Sequence, residues 1–229
     1  MTQRWDLTQQ YVHDVFGRQD NHLAGLMPDA IAAGLPDIAV SAEVGRLLTI
    51  LTSLTRGMLA IEVGTLAGYS GIWIARGLKP GGRLITIEAE PRHADFAQRQ
   101  FERAGVAERV HIRRGRALDV LPELARAHPP QSVDLIFLDA VKTEYEQYWQ
   151  IVRPLIAHGG LILADNCLGS NSWWIEEKGG TGGSGESGGS DRDAMDRFNR
   201  LIATDAEFDT VAVPLRNGVL VGRRRESFR

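Results

Sequence analysis

Residues 58–78 read MLAIEVGTLAGYSGIWIARGL, and this stretch decides the fold. A short β-favouring run ends at Gly64, and Gly68 opens a helical run that stops at the Lys79-Pro80-Gly81-Gly82 break. Strand, glycine turn and helix in that order make the first half of a crossover unit. The same rhythm repeats downstream. RLITIEAE is a strand followed by the helix PRHADFAQRQFERAG, with proline at its start and glycine at its end. RVHIRRG precedes the helix ALDVLPELARA, VDLIFLDA precedes EYEQYWQIVRPLI, and GGLILADN is a fifth strand. Strands alternating with helices predict an α/β fold with a parallel sheet. The near-continuous apolar runs DLIFL and LILA fit burial on both faces.

The two ends depart from that rhythm. Residues 1–58 read as a helical N-terminal region, because TQQYVHDVF and SAEVGRLLTILTSLT space apolar residues three and four apart. Ser41 is placed to cap the second of these. At the other end, two short β-runs flank Asn217-Gly218, a hairpin signal because both residues tolerate positive φ, so an antiparallel pair closes the sheet. Between them lies the Gly/Ser-rich stretch 178–191, which has too little apolar surface to offset its ordering entropy and reads as a mobile surface loop. No strand leads into it, so a nucleotide-binding glycine loop is disfavoured. The whole chain, 1–229, reads as a single domain.

Composition narrows the function classes. Apolar residues make up 43% and charged residues 24% of 229, ordinary for a water-soluble globular chain. The net charge of −3 gives no basic footprint for nucleic acid. The basic tail GRRRESFR is short and reads as solvated. No apolar run approaches the ~20 residues of a membrane span. The N-terminus lacks the pattern of a signal peptide, and the lone Cys167 cannot form an internal disulfide. A cytoplasmic protein with a small buried cysteine is the expectation.

The turn Glu62–Ser70, EVGTLAGYS, lets the backbone approach a ligand closely at Gly64 and Gly68, and the helix behind it offers free amides. It lacks the Gly-Lys-Ser/Thr ending of a P-loop, and its E-x-G-x-x-x-G spacing is not the dinucleotide pattern. Glu88 ends the second strand, where an acid can accept from two ribose hydroxyls; Glu90 is the alternative. A nucleoside ligand follows. Glu62 at the first strand's end repels a pyrophosphate but accepts from an ammonium group. That favours S-adenosylmethionine, with its amino-acid tail and sulfonium, over NAD.

The motifs AIEVGTLAGYSGIWIA, ITIEAE, GRALDVLPEL, DLIFLDAVKTEY and GGLILADN occur together and in order. They resemble the metal-dependent class I O-methyltransferases, the family of catechol and caffeoyl-CoA O-methyltransferases, over roughly residues 37–167 and the final hairpin. The resemblance implies a Rossmann-like seven-stranded sheet of order 3-2-1-4-5-7-6 with strand 7 antiparallel and helices on both faces. It implies that Asp139, Asp165 and Asn166 ligate a divalent metal. Oxygen-only ligation suits Mg²⁺, with Ca²⁺ or Mn²⁺ as alternatives. It implies a donor pocket lined by Val40, Glu62, Gly64, Thr65, Ser70, Glu88, Ala117 and Asp139. Lys142 would contact the reacting hydroxyl, and a nearby cation would lower its pKa toward that of a general base.

The implied activity is methyl transfer to one hydroxyl of a catechol-type small molecule by a homodimer. Where family members often read Asp-Ala-Asp-Lys, this chain has Val141 in place of the second acid. A non-catalytic nucleoside-binding regulator and an NAD-dependent oxidoreductase are the competing readings. Lys142 with the three oxygen ligands argues against the first, and Glu62 with its glycine spacing against the second.

Overall fold

The computed structural model describes residues 2–169 and 186–226, with residues 2–3 and 186–190 as backbone only. It divides into two compact units, Met1–Arg116 and Ala117–Arg229. Seven strands form one sheet in the order β3-β2-β1-β4-β5-β7-β6, as the resemblance implies.

In the first unit, α1 (Thr2–Phe16), α2 (Asn21–Ala32) and α3 (Ala42–Leu54) precede β1 (Leu59–Val63), α4 (Tyr69–Gly77), β2 (Arg83–Glu88), α5 (Pro91–Arg103) and β3 (Val110–Arg114). The N-terminal region is thus three helices. The middle one begins at a cap that the sequence analysis did not single out: Asp20 accepts from the Leu23 amide at 2.9 Å. Ser41 stands at the N-cap position of α3, but its side chain makes no capping bond, and its buried Oγ has no partner among the described residues. Its carbonyl still accepts from the Gly45 amide at 2.9 Å. β1 and β2 pair in parallel, with Glu62 opposite Thr86. That register builds the site described below.

The second unit runs α6 (Ala117–Ala127), β4 (Val133–Leu138), a 3-10 turn (Lys142–Glu144), α7 (Tyr145–Val152), β5 (Ile156–Asp165), α8 (Glu186–Ala203), β6 (Phe208–Val213) and β7 (Val219–Arg224). Every residue of β4 is buried, as its unbroken apolar run requires. β5 is longer than GGLILADN suggests. It starts at Ile156, and its register with β4 shifts between Val133 and Leu135. Gly159, at φ +74, supplies the left-handed residue that this irregularity needs.

Two expectations are corrected here. Of the stretch 178–191, residues 178–185 lie outside the described residues, but 186–191 are helical and open α8. Ala194, Met195, Phe198 and Ile202 bury one face of that helix, and this packing outweighs the poor intrinsic propensity of its Gly/Ser start. The closing hairpin exists, β6 pairing antiparallel with β7, but not around a two-residue Asn-Gly turn. Pairing ends at Val213↔Val219. Arg216 (φ +50) and Gly218 (φ +82) are left-handed in the connecting loop. Pro214 cannot donate to a ladder, so the loop opens there. Its carbonyls serve the turn after β5 instead: Gly218 accepts from the Cys167 amide at 3.0 Å and Asn217 from the Leu168 amide at 2.9 Å.

Candidate active site

In the first unit the glycine turn closes on itself through the Gly68 amide and the Thr65 carbonyl, 2.8 Å apart. A Cβ at Gly68 would lie 3.0 Å from the Phe101 ring, and its φ of +85 is one that L side chains rarely adopt. Glycine is therefore required there on both counts. Glu88, at the tip of β2, holds the turn. Its Oε2 accepts from the amides of Thr65 (3.2 Å) and Leu66 (2.7 Å), and its Oε1 from the Glu90 amide (2.9 Å). A carboxylate offers about four acceptor positions, so one remains for a ligand hydroxyl, where the sequence suggested two. His93 Nδ1 lies 3.5 Å from Oε1.

Glu62 is fully buried. Oε1 accepts from Ser70 Oγ and Oε2 from Thr86 Oγ1, both at 2.6 Å. Thr65 Oγ1 lies 2.5 Å from Thr86 Oγ1. A hydroxyl has one proton, and that of Thr86 is committed to Glu62, so Thr65 donates to Thr86. The carboxylate therefore orients both Ser70 and Thr65 with protons inward and lone pairs available to a donor group. An ammonium would meet those hydroxyl oxygens, since the carboxylate itself is enclosed. Thr86 belongs to this network and was not foreseen. Its signal is the strand register, which sequence does not print. Val40 is buried just before α3.

In the second unit, Ala117 is buried at the start of α6. Asp139 follows β4, with Oδ1 accepting from Lys142 Nζ at 3.0 Å. Lys142 Nζ also donates to Tyr145 Oη at 2.8 Å, and Tyr145 donates to the Leu138 carbonyl at 3.0 Å. Burial disfavours the Lys142 charge, but Tyr145 and Asp139 outweigh it, and its pKa is raised. The acids Asp139 and Asp165 and the lone pairs of Tyr145 favour the charged form, whereas the lowering expected beside a cation concerns the metal-bound state.

Asp165, at the end of β5, is 1% exposed, and neither carboxylate oxygen has a hydrogen-bond partner among the described residues. Arg216 Nη1 stands 3.7 Å from Oδ2. Burial first, and the Asp139 charge second, push the Asp165 carboxyl up to about 7. Asn166 follows at φ +62, a left-handed position that asparagine tolerates better than most residues, and is also buried. Among the described residues, no group of three or more His, Cys, Asp or Glu side chains gathers to hold a metal. The expected set contains two acids and an amide. A buried carboxylate with two unpartnered oxygens, raised by a second acid, fits a bound divalent cation. Cys167 is buried and its thiol is pushed up to about 12, by burial and then by Asp165, so it is inert.

The model of a family described as O-methyltransferase matches residues 15–225. A catechol O-methyltransferase of Niastella koreensis is 42% identical over 72% of this chain and 75% of its own. An O-methyltransferase from Bacillus cereus, solved in complex with SAH, superposes with a TM-score of 0.81 at 31% identity, covering 98% of this chain and 100% of its own. The O-methyltransferase TomG from Streptomyces achromogenes, involved in tomaymycin synthesis and solved with SAM, gives 0.79 at 29% identity over 98% of each chain.

Proposed function

From the premise that this chain belongs to the O-methyltransferase family and takes its methyl group from S-adenosylmethionine, we propose that the acceptor is a vicinal diphenol held on a divalent cation. The observation that carries this is Asp165, a buried carboxylate with no hydrogen-bond partner for either oxygen among the described residues and only Arg216, at 3.7 Å, in an ion pair. A carboxylate so deep and so weakly paired costs several kcal/mol, which a bound cation would offset. The name of the Niastella relative supports the acceptor class.

Asp139, Asp165 and Asn166 would hold the cation, Mg²⁺ by preference for an all-oxygen set. When bound it would supply Lewis acidity to the chelated hydroxyl. The glycine turn, with Glu88 and the Ser70 and Thr65 oxygens, would fix the donor's sugar and amino-acid ends, and Val40 and Ala117 would pack against it. Lys142, kept as an ammonium by Tyr145 and Asp139, would pair with the oxyanion left when the hydroxyl gives its proton to solvent. The oxygen then attacks the methyl carbon in line with the leaving sulfur, so positioning carries much of the rate. Val141, 54% exposed where relatives often carry an acid, makes this edge apolar rather than charged.

Leu7, Tyr11 and Val15, exposed at four-residue spacing along α1, support the homodimer as part of the same proposal. A cytoplasmic location completes it. Among the described residues no helix is long and apolar enough to cross a membrane. The test is a panel of vicinal diphenols and matched monophenols with S-adenosylmethionine, with and without chelator. Methylation of the diphenols alone, lost to EDTA and restored by Mg²⁺, is the expected result. Turnover indifferent to chelator would end the proposal.

A further inference from the structure

We propose that Tyr145 is a positioning residue for Lys142, fixing two of the ammonium's directions so that its remaining proton meets the acceptor oxygen. This rests on the role given to Lys142 above. An ammonium has three N–H donors. One goes to Asp139 Oδ1 at 3.0 Å and one to Tyr145 Oη at 2.8 Å. The third has no partner among the described residues.

The tyrosine oxygen suits this task because its own proton is committed elsewhere. It donates to the carbonyl of Leu138, the last residue of β4, at 3.0 Å, so only lone pairs face the lysine. The ring cannot swing. It is fully buried, edge-on to Phe198 of α8 with centroids 5.3 Å apart, and tilted against Tyr148 at 5.9 Å. A lysine otherwise has a flexible four-carbon stem whose rotamers spread its charge over several ångströms. Here the head group is tied to the strand that carries Asp139, through a side chain that packing locks. Tyr145 touches neither donor nor acceptor in this scheme and acts only through Lys142.

A purely structural tyrosine, satisfied by Leu138 and merely decorated by the lysine, predicts different kinetics. The test uses the full chain with S-adenosylmethionine, Mg²⁺ and catechol as probe, in wild type, Tyr145→Phe, Lys142→Met and the double variant. Tyr145→Phe is expected to lower kcat tenfold or more while KM for S-adenosylmethionine stays within twofold. In the Lys142→Met background the same change is expected to lower kcat less than twofold, because the group it positions is gone. An equal loss in both backgrounds, or a lower Tm with kcat intact, overturns the positioning role. Lys142→Met with full activity, or a wild type inert toward catechol, overturns the underlying reading instead. If Tyr145→Phe does not fold, 3,5-difluorotyrosine at 145 keeps the shape and hydroxyl but makes the oxygen a poorer acceptor. Its kcat is expected to fall severalfold, and an unchanged kcat overturns the proposal.

Discussion

Glu62 and Asp165 are both buried acids at or near the C-terminal ends of strands, one in each compact unit, and their circumstances are opposite. Glu62 is enclosed, with a hydroxyl on each oxygen, and one of those hydroxyls is backed by a further one. Asp165 is equally enclosed and has none. A buried charge survives only when its neighbours compensate it. In the first unit the chain supplies the compensation itself, which leaves the turn preformed. In the second the chain compensates only in part, through Arg216 at 3.7 Å and the charge of Lys142, and the raised carboxyl of Asp165 is the consequence. A preformed cradle binds without reorganising, whereas a raised carboxyl must lose its proton before a cation can bind. The two halves should therefore answer differently to mutation, to pH and to added metal.

The largest expected effect removes the uncompensated acid. Asp165→Ala is expected to lower turnover of a vicinal diphenol by about a thousandfold, the loss of several kcal/mol of charge stabilisation in the transition state. Calorimetry should show affinity for S-adenosylmethionine unchanged, because the first unit's cradle is intact. Donor affinity falling in parallel would erase the distinction between the halves.

Next in size is a pH dependence. Asp165 titrates near 7 when folded and near 3.8 as a free side chain. Between those values the folded state binds more protons, so stability falls as pH rises from about 4 to about 7 and levels off above. Without divalent ions this single group contributes up to roughly 4 kcal/mol, on the order of 10 °C in Tm. Asp165→Asn should be more stable than wild type at pH 8 and no more stable at pH 4. Saturating Mg²⁺ should reverse the trend, since binding displaces the proton and strengthens with pH. Thermal scans across pH with chelator, then with Mg²⁺, decide it.

Glu62 should behave as a structural acid. Glu62→Ala leaves the Ser70 and Thr86 hydroxyls without their shared acceptor. It is expected to cost about 2 kcal/mol, because each charge-assisted bond is worth roughly 1.5–3 and relieving the buried charge returns part of it. Donor affinity should fall with stability, whereas Asp165→Ala leaves donor affinity intact. Urea denaturation beside donor calorimetry separates the two acids.

The strand-and-helix alternation, and with it the sheet, is legible in the sequence because β1, β4 and β5 are short apolar runs that end in glycine or in polar residues, and helical spacing follows the first four strands. What fails to show depends on register or distance. Thr86 faces Glu62 only because β1 and β2 pair in parallel at that offset. Arg216 approaches Asp165 only because the loop after β6 opens early, at a proline. α8 hides behind a glycine-rich start, although Ala194, Met195, Phe198 and Ile202 already carry helical spacing. Asp139, Asp165 and Asn166 are visible as polar residues at strand ends, but which strands are neighbours is a property of topology. The family resemblance, not local pattern, supplied it.

The smallest effect concerns Ser41, the first unit's own orphan. Its Oγ is buried without a hydrogen-bond partner among the described residues, as both oxygens of Asp165 are. A capping serine replaced by alanine ordinarily costs about 1 kcal/mol, because a first-turn amide loses its acceptor. Here no such bond exists. Removing a desolvated, unpaired hydroxyl is nearly neutral or stabilising. Ser41→Ala is therefore expected to leave Tm within about 1 °C or raise it, whereas Asp20→Ala, which removes a working cap on α2, lowers it by roughly 2–4 °C. An orphaned hydroxyl is a weaker demand on its surroundings than an orphaned carboxylate, being neutral and needing one partner instead of several. If Ser41→Ala also leaves donor affinity untouched, an unpaired atom alone does not mark a ligand contact. The case for Asp165 then stands on its charge, its depth and the second acid beside it. If donor affinity drops, Ser41 joins the cradle, and the first unit is less self-sufficient than Glu62 makes it look.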